Sequence, residues 1–290
     1  VRLGAGDRDY QNRNAYVTLN APQLQVPDAV GRSLGITNGG FRASVGADGE
    51  AIRRALTYNM ALDVGRTVSD PASLVGSNAD ALLRAGLAPD SARRVQQIAG
   101  SVGLPLVGSG IPASRVQNSL TWLGRLDDVR DTLRTLTLTS YASRSDEGAL
   151  GFGPLNSPGA GGKQSQQTLG AQLLQSRYVG AGFYTLMQNR LAASRVRERT
   201  SPYLALPGAT VLARSASDAA ANDVVALQLG GNPFMATDDS RWTVEAANEM
   251  VWNAQGRKHR FKTSAWARGD GLTQEGQPTA LGAYTIMTLA

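Results

Sequence analysis

The chain has no cysteine, three lysines, a single histidine and no long apolar run, and each shortage removes a class of explanation. Without cysteine there is no disulfide framework, thiolate metal site or thiol nucleophile, a state compatible with any redox compartment, an oxidising periplasm included. A zinc site would have to rest on that one histidine and on carboxylates, and no such carboxylate cluster stands out. No stretch approaches the about 18 consecutive apolar residues of a membrane-crossing helix. A membrane-crossing strand passes that test, because it needs only about 9 to 11 residues of alternating character. The formal net charge of +6 rests almost wholly on arginine, with lysine only at Lys163, Lys258 and Lys262. The arginines are scattered among acids, with no basic cluster and interleaved aromatics, so nucleic acid is not an expected partner.

What the sequence does have is period-two alternation, the mark of a half-buried strand. Leu56, Tyr58, Met60, Leu62 and Val64 fall on one face, with Thr57, Asn59, Ala61 and Asp63 on the other. Ala15, Val17 and Leu19 alternate with Tyr16 and Thr18, and Phe41, Ala43 and Val45 with Arg42 and Ser44. Leu120, Trp122, Gly124 and Leu126 oppose Ser119, Thr121, Arg125 and Asp127, with Leu123 as an exception. Leu136 and Leu138 oppose threonines, and Val244, Ala246, Met250 and Trp252 oppose Thr243, Glu245, Ala247 and Glu249, interrupted by Asn248 and Val251.

Short polar turns are expected near residues 48–53, 128–132, 178–182 and 253–258, and long excursions near 67–115, 146–166 and 197–241. Short and long alternate, as they do in an outer-membrane barrel with periplasmic turns and extracellular loops. A soluble sandwich has no reason to keep that order. Tyr178, Phe183, Tyr184, Trp252 and Phe261 lie close to the short turns. They fit an interfacial girdle, and they fit equally the ordinary preference of aromatics for strands. Within the 67–115 excursion, Ser77 or Asn78 caps a helix running to Arg84 with Gly86 as its stop, and Pro89 opens a second ending near Gly100 or Gly103. The Gly, Pro and Ser rich stretch from Gly148 to Gly162 reads as a mobile loop tip.

No catalytic motif is complete. Gly161, Gly162 and Lys163 suggest a phosphate loop, but Ser157 stands where its first glycine belongs and Gln164 where its Ser or Thr should bind magnesium. His259, between Lys258 and Arg260, lacks a nucleophile elbow and reads as a solvated turn residue. The carboxylate pairs are Asp238 with Asp239, Asp146 with Glu147, and Glu245 with Glu249. The last shares one strand face and is the one conceivable acid-base pair. A polar lumen network that also takes in Arg125, Asp127 and Arg268 is the better reading. Asp238, Asp239 and Asp270 lack the spacing of a calcium loop. No catalytic, cofactor-binding or metal residue is therefore assigned, and no cofactor is expected.

The stretch from Gly6 to Gly35, GDRDYQNRNAYVTLNAPQLQVPDAVGRSLG, resembles the opening barrel region of TonB-dependent outer-membrane receptors of the type with an N-terminal carboxypeptidase-regulatory-like domain. In order after it, LAPDSARRVQQI (87–98) is similar to their helical loop, residues 120–145 to a barrel hairpin, TSPYLALPGATVLA (200–213) and LGGNPF (229–234) to a large external loop, and NEMVWNAQGRKHRFK (248–262) to the next hairpin. The sequence departs from the pattern at ADGEAI (47–52), where a Gly-Pro pair is usual, and at Thr263 to Ala265, where a glycine is. The resemblance implies a barrel of about 22 strands around a plug, of which residues 1–290 are the partial wall. It also implies a nutrient ligand such as a siderophore, outer-membrane lipid around the wall, and an energy-coupling periplasmic protein reached through an upstream segment absent here. Ligand-binding residues remain unknown, because such receptors bind through loops and plug.

The expected fold is thus all-β: an antiparallel transmembrane barrel segment, open and curved, of roughly eight to ten strands, with long, partly helical extracellular loops. Starting at Val1 without a leader and stopping at Ala290 within an alternating run, the chain reads as a fragment with two open edges. The expected function is energy-coupled uptake in the outer membrane, without enzymatic activity. A passive porin-like barrel and a secreted β-sandwich or adhesin-like binding protein stay open as alternatives.

Overall fold

The computed structural model describes residues 2–6, 14–20, 38–106, 110–180, 184–216, 224–253, 259–276 and 281–286. Ten strands form one antiparallel sheet: β1 (Arg2–Gly6), β2 (Asn14–Asn20), β3 (Asn38–Ile52), β4 (Leu56–Ser69), β5 (Arg115–Asp131), β6 (Arg134–Leu150), β7 (Gly162–Gly180), β8 (Tyr184–Pro202), β11 (Thr237–Asn253) and β12 (Arg260–Gly276). Each strand pairs with its neighbour in chain order except that β8 pairs with β11, because β9 (Gly208–Arg214) and β10 (Val224–Gly230) lie in the intervening excursion. The sheet runs from β1 to β12 without closing among the described residues, so it is an open barrel segment. No described helix is long and apolar enough to cross a membrane.

The connections alternate as the sequence predicts. At one end, β3 and β4 are joined through residues 53–55, where Arg54 takes a φ of 56° and the Ala55 N–H donates to the Ile52 carbonyl at 3.0 Å. This is a three-residue hairpin loop with a left-handed residue. β5 and β6 are joined through Thr132 and Leu133, and the Asp131 carboxylate accepts the Leu133 N–H at 2.8 Å. The tip between β7 and β8 and nearly all of the 253–258 turn lie outside the described residues. At the other end, the strands run further than the alternation suggested, and the excursions shrink to residues 70–114, 151–161 and 203–236.

Those excursions pack together. Helix α1 (Ala79–Arg84) is capped by Asn78, whose side chain accepts the Ala81 N–H at 2.9 Å, and ends before Gly86 at φ 81°. Helix α2 (Pro89–Ser101) starts at proline, where no N–H is missed. Both lay an apolar side against a small sheet in which β9 pairs with antiparallel β10 and parallel β13 (Ala283–Ile286). Leu74, Leu82, Leu87, Val95, Val211 and Leu227 form the shared core.

The 148–162 stretch is not a mobile tip. Ser157 to Gly162 are buried, and residues 155–157 form a strut: the Leu74 N–H donates to the Asn156 carbonyl, and Ser157 N–H to that of Gln228, both at 2.8 Å. Glycine serves here as packing space, since a Cβ on Gly161 would come within 2.5 Å of the Phe152 ring and 2.7 Å of the Leu150 carbonyl oxygen.

Candidate functional site

Because alternate residues of a strand point to opposite faces, the registers divide the large sheet into two faces. One carries Val17, Val45, Leu62, Trp122, Ala142 and Leu169, aligned strand to strand, with Ala171 and Ala193 aligned on the same face two residues along. Leu138, Leu173, Leu191 and Ala246 continue it, and Trp242, Val244, Met250 and Trp252 belong to it on β11. These side chains are not covered: Leu169 and Leu191 are each 55% exposed and Val244 is 50% exposed. The eight longer strands, at ~4.8 Å spacing and about eight residues along each, give an apolar area on the order of 1,000 Å². Monomeric soluble proteins rarely expose more than about 300–600 Å² in one patch. The ten residue steps from Trp242 to Trp252 span about 33 Å along the strand, or about 25 Å of height at the usual barrel tilt.

The opposite face is polar and carries six ion pairs among the described residues. Arg42 binds Asp63 at 2.9 Å, with the Ser44 hydroxyl donating to the same carboxylate. Arg125 binds Asp127 at 2.8 Å with Thr137 donating at 2.6 Å, and Arg268 binds Asp270 at 2.8 Å with Thr243 donating at 2.6 Å. Arg190 binds Glu245, Lys262 binds Glu249 at 2.9 Å, and Arg115 binds Glu147. Cross-strand aromatics lie on glycines of the facing strand, so a Cβ on Gly46 would meet Tyr16 at 2.2 Å and one on Gly170 would meet Tyr141 at 2.2 Å. Such pairs cover the gap that a glycine leaves in a sheet. Leu123 faces this side, opposite Tyr141, and Asn248 faces the apolar side, where its amide donates to the Asn189 side chain at 2.7 Å.

This geometry separates the carboxylates that the sequence placed together. Glu245 and Glu249 share a face, but each has its own cation, so neither is held as a proton-sharing partner of the other. Asp146 binds Arg144 on the apolar side while Glu147 binds Arg115 on the polar side. Asp238 binds Arg197 at 2.5 Å on the apolar side, and Asp239 turns to the polar side, where Oδ1 is buried without a hydrogen-bond partner among the described residues. Consecutive residues of a strand cannot pair because the pleat sends them apart. His259 is exposed, its ring 6.4 Å from that of Phe261. No group of three or more His, Cys, Asp or Glu side chains among the described residues could hold a metal ion.

The aromatic girdle is corrected in part. Trp252 and Phe261 stack on the apolar face with ring centroids 5.7 Å apart. Tyr178 is aligned with Leu186 on the polar face, and the Phe183 position and the Tyr184 side chain lie outside what is described. Trp242 marks the other edge of the apolar face.

One arrangement was hidden from the sequence. Arg144, Lys163, Arg197 and Arg199, scattered along the chain, line one open groove of about 730 Å³ at the long-connection end. Its rim includes Tyr203, whose hydroxyl accepts the Ala149 N–H at 2.6 Å. Burial pushes the Tyr203 phenol above its ordinary value, opposed in part by that hydrogen bond.

No family model and no curated protein matches the chain. Among solved structures, the siderophore receptor PiuA from Acinetobacter baumannii aligns with 94% of this chain at 11% identity and a TM-score of 0.31. The alignment takes in 45% of that receptor, so the chain spans less than half of its length. The fold assignment rests on the strand order and registers of this chain: an all-β, antiparallel, open barrel segment with long, partly helical connections.

Proposed function

We propose that this chain is part of the wall of an outer-membrane receptor of the TonB-dependent type, taking up a scarce nutrient such as a siderophore by energy-coupled movement of a plug. The observation that carries the membrane reading is the uncovered apolar band on one face, set against paired charges on the other. Lipid is the solvent that turns such a band from a liability into a fit, and a sheet satisfies its backbone there only within a closed barrel. The polar face then lines the lumen, the short turns lie in the periplasm, and the packed long connections lie outside the cell. Receptor function within that architecture rests on the resemblance of residues 6–35 and 248–262, as does the regulatory-like domain upstream. The reading includes no catalytic step, in keeping with separately paired Glu245 and Glu249.

Extraction and transport test it in turn. The protein is expected in the outer-membrane fraction, released only by detergent; a folded monomer in detergent-free buffer refutes the barrel and favours a secreted β-sandwich. Cells lacking the protein are expected to lose uptake that collapses with the proton-motive force. Uptake that persists without that force identifies a passive pore instead.

A further inference from the structure

We infer that the groove at the long-connection end of β6, β7 and β8 is a binding site for the phosphate of an anionic membrane lipid, a conclusion that rests on the membrane-spanning reading above. The basic residues of the groove belong to the same face as the apolar band, while Glu147 and Gln164 reach it from the other: the registers align Arg144 with Gln167 and Arg197, and Asp146 with Ser165 and Arg199. Along β8 the change from apolar to basic is abrupt, since Leu191 and Ala193 are followed on that face by Arg195, Arg197 and Arg199. Arg195 is level with Trp242 at the band's edge. Arg197 and Arg199 therefore lie about 7 and 14 Å further along the strand, or about 5 and 10 Å in height at the usual tilt. The headgroup layer begins at that height.

Charge and donors fit an anion. On this border of the apolar face, Arg66, Arg144, Lys163, Arg195, Arg197 and Arg199 outnumber Asp146, Asp238 and Glu275 by six to three. Lys163 is exposed and has no ion pair among the described residues, and Arg199 reaches Asp238 only at 4.0 Å. Arg144 and Arg197 each use Nε and one terminal nitrogen on their carboxylates. A guanidinium has five N–H donors, so both retain donors for a second anion. They flank Gln167 from strands on either side of β7, about 10 Å apart at the backbone. A phosphate headgroup fits between them, with its acyl chains running down the apolar band. A free anion gains nothing from that continuity, so the lipid is the occupant.

The test uses the protein purified in nonionic detergent and titrated with phosphatidylglycerol, phosphatidylcholine or inorganic phosphate, with bound lipid read by native mass spectrometry. Phosphatidylglycerol is expected to be retained over phosphatidylcholine, while phosphate alone is not expected to displace it. The double variant Lys163→Gln, Arg199→Gln should weaken retention about 30-fold, at roughly fivefold per cation near an anionic surface. The charge-preserving Lys163→Arg, Arg199→Lys should stay within a few-fold of the parent. Equal retention of the two lipids, an unchanged double variant, or displacement by millimolar phosphate overturns the inference. Insertion of parent and variants into pure phosphatidylcholine nanodiscs is read separately. Insertion without lipid preference refutes only this site, whereas failure of the parent to insert refutes the membrane-spanning reading.

Discussion

Replacing Leu191 by arginine distinguishes a lipid-facing surface from a solvent-facing one. Leu191 lies in the middle of the apolar face, aligned with Leu173 on β7 and Ala246 on β11, and is 55% exposed. In water, a substitution at so exposed a position changes stability by no more than about 0.5 kcal/mol. At a bilayer midplane the same arginine costs about 2–4 kcal/mol, a change of roughly 30- to 900-fold in the folding equilibrium. The control is Gln172→Arg, one residue from Leu173 and aligned with Ala192 and Thr139 on the polar face. It is expected to stay within about 0.5 kcal/mol. Both variants of the intact protein are measured by denaturant titration in phosphatidylcholine bilayers, following tryptophan emission. A Leu191→Arg cost no larger than that of Gln172→Arg refutes the assignment of this face to lipid.

Three further outcomes follow from particular contacts. Gly170→Leu forces its Cβ into the Tyr141 ring, which stands 2.2 Å from that position, and is expected to cost about 1–3 kcal/mol in the same titration. Asn78→Ala removes the acceptor for the Ala81 N–H and should lower the stability of the loop core by about 1 kcal/mol, read as faster amide exchange at α1. Tyr203 should ionise later than the exposed tyrosines in an alkaline absorbance titration, because burial raises its pKa above the ordinary 10.0. For a group shifted upward, the stabilisation is complete below the unfolded value and is lost as pH climbs through the folded one. The packing of Tyr203 against Ala149 should therefore loosen only in strongly alkaline solution, and Tyr203→Phe should abolish that pH dependence.

The wall was legible because its signal is local. The parity of Leu56 to Val64 or Leu120 to Leu126 depends only on neighbouring residues and on one face being apolar, and even the exceptions Leu123 and Asn248 fall on the faces that parity assigns. The helices were legible from Asn78, Pro89 and Gly86, residues whose backbone or capping chemistry has few other uses. The small sheet of β9, β10 and β13 was missed because Val211, Leu212 and Ala213 show no alternation, and burial of β9 depends on helices more than a hundred residues away. The same cause misled the reading of residues 148–162, where glycine meant close packing and not mobility. The basic groove could not be seen at all, since Arg144, Lys163 and Arg199 become neighbours only through registers between separate strands.

The union of the three long excursions bears on the order of assembly. Apart from β8 with β11, the wall contacts join consecutive strands, so the wall can form hairpin by hairpin. The loop core instead joins Leu74, Leu82 and Leu87 to Val211 and Leu227, and its strut requires residues 155–157 to be in position between them. Closing so long a separation costs little once β4 to β11 are paired and hold the excursion ends near one another. The cap is thus a late cooperative unit, able to open without unravelling the hairpins beneath it.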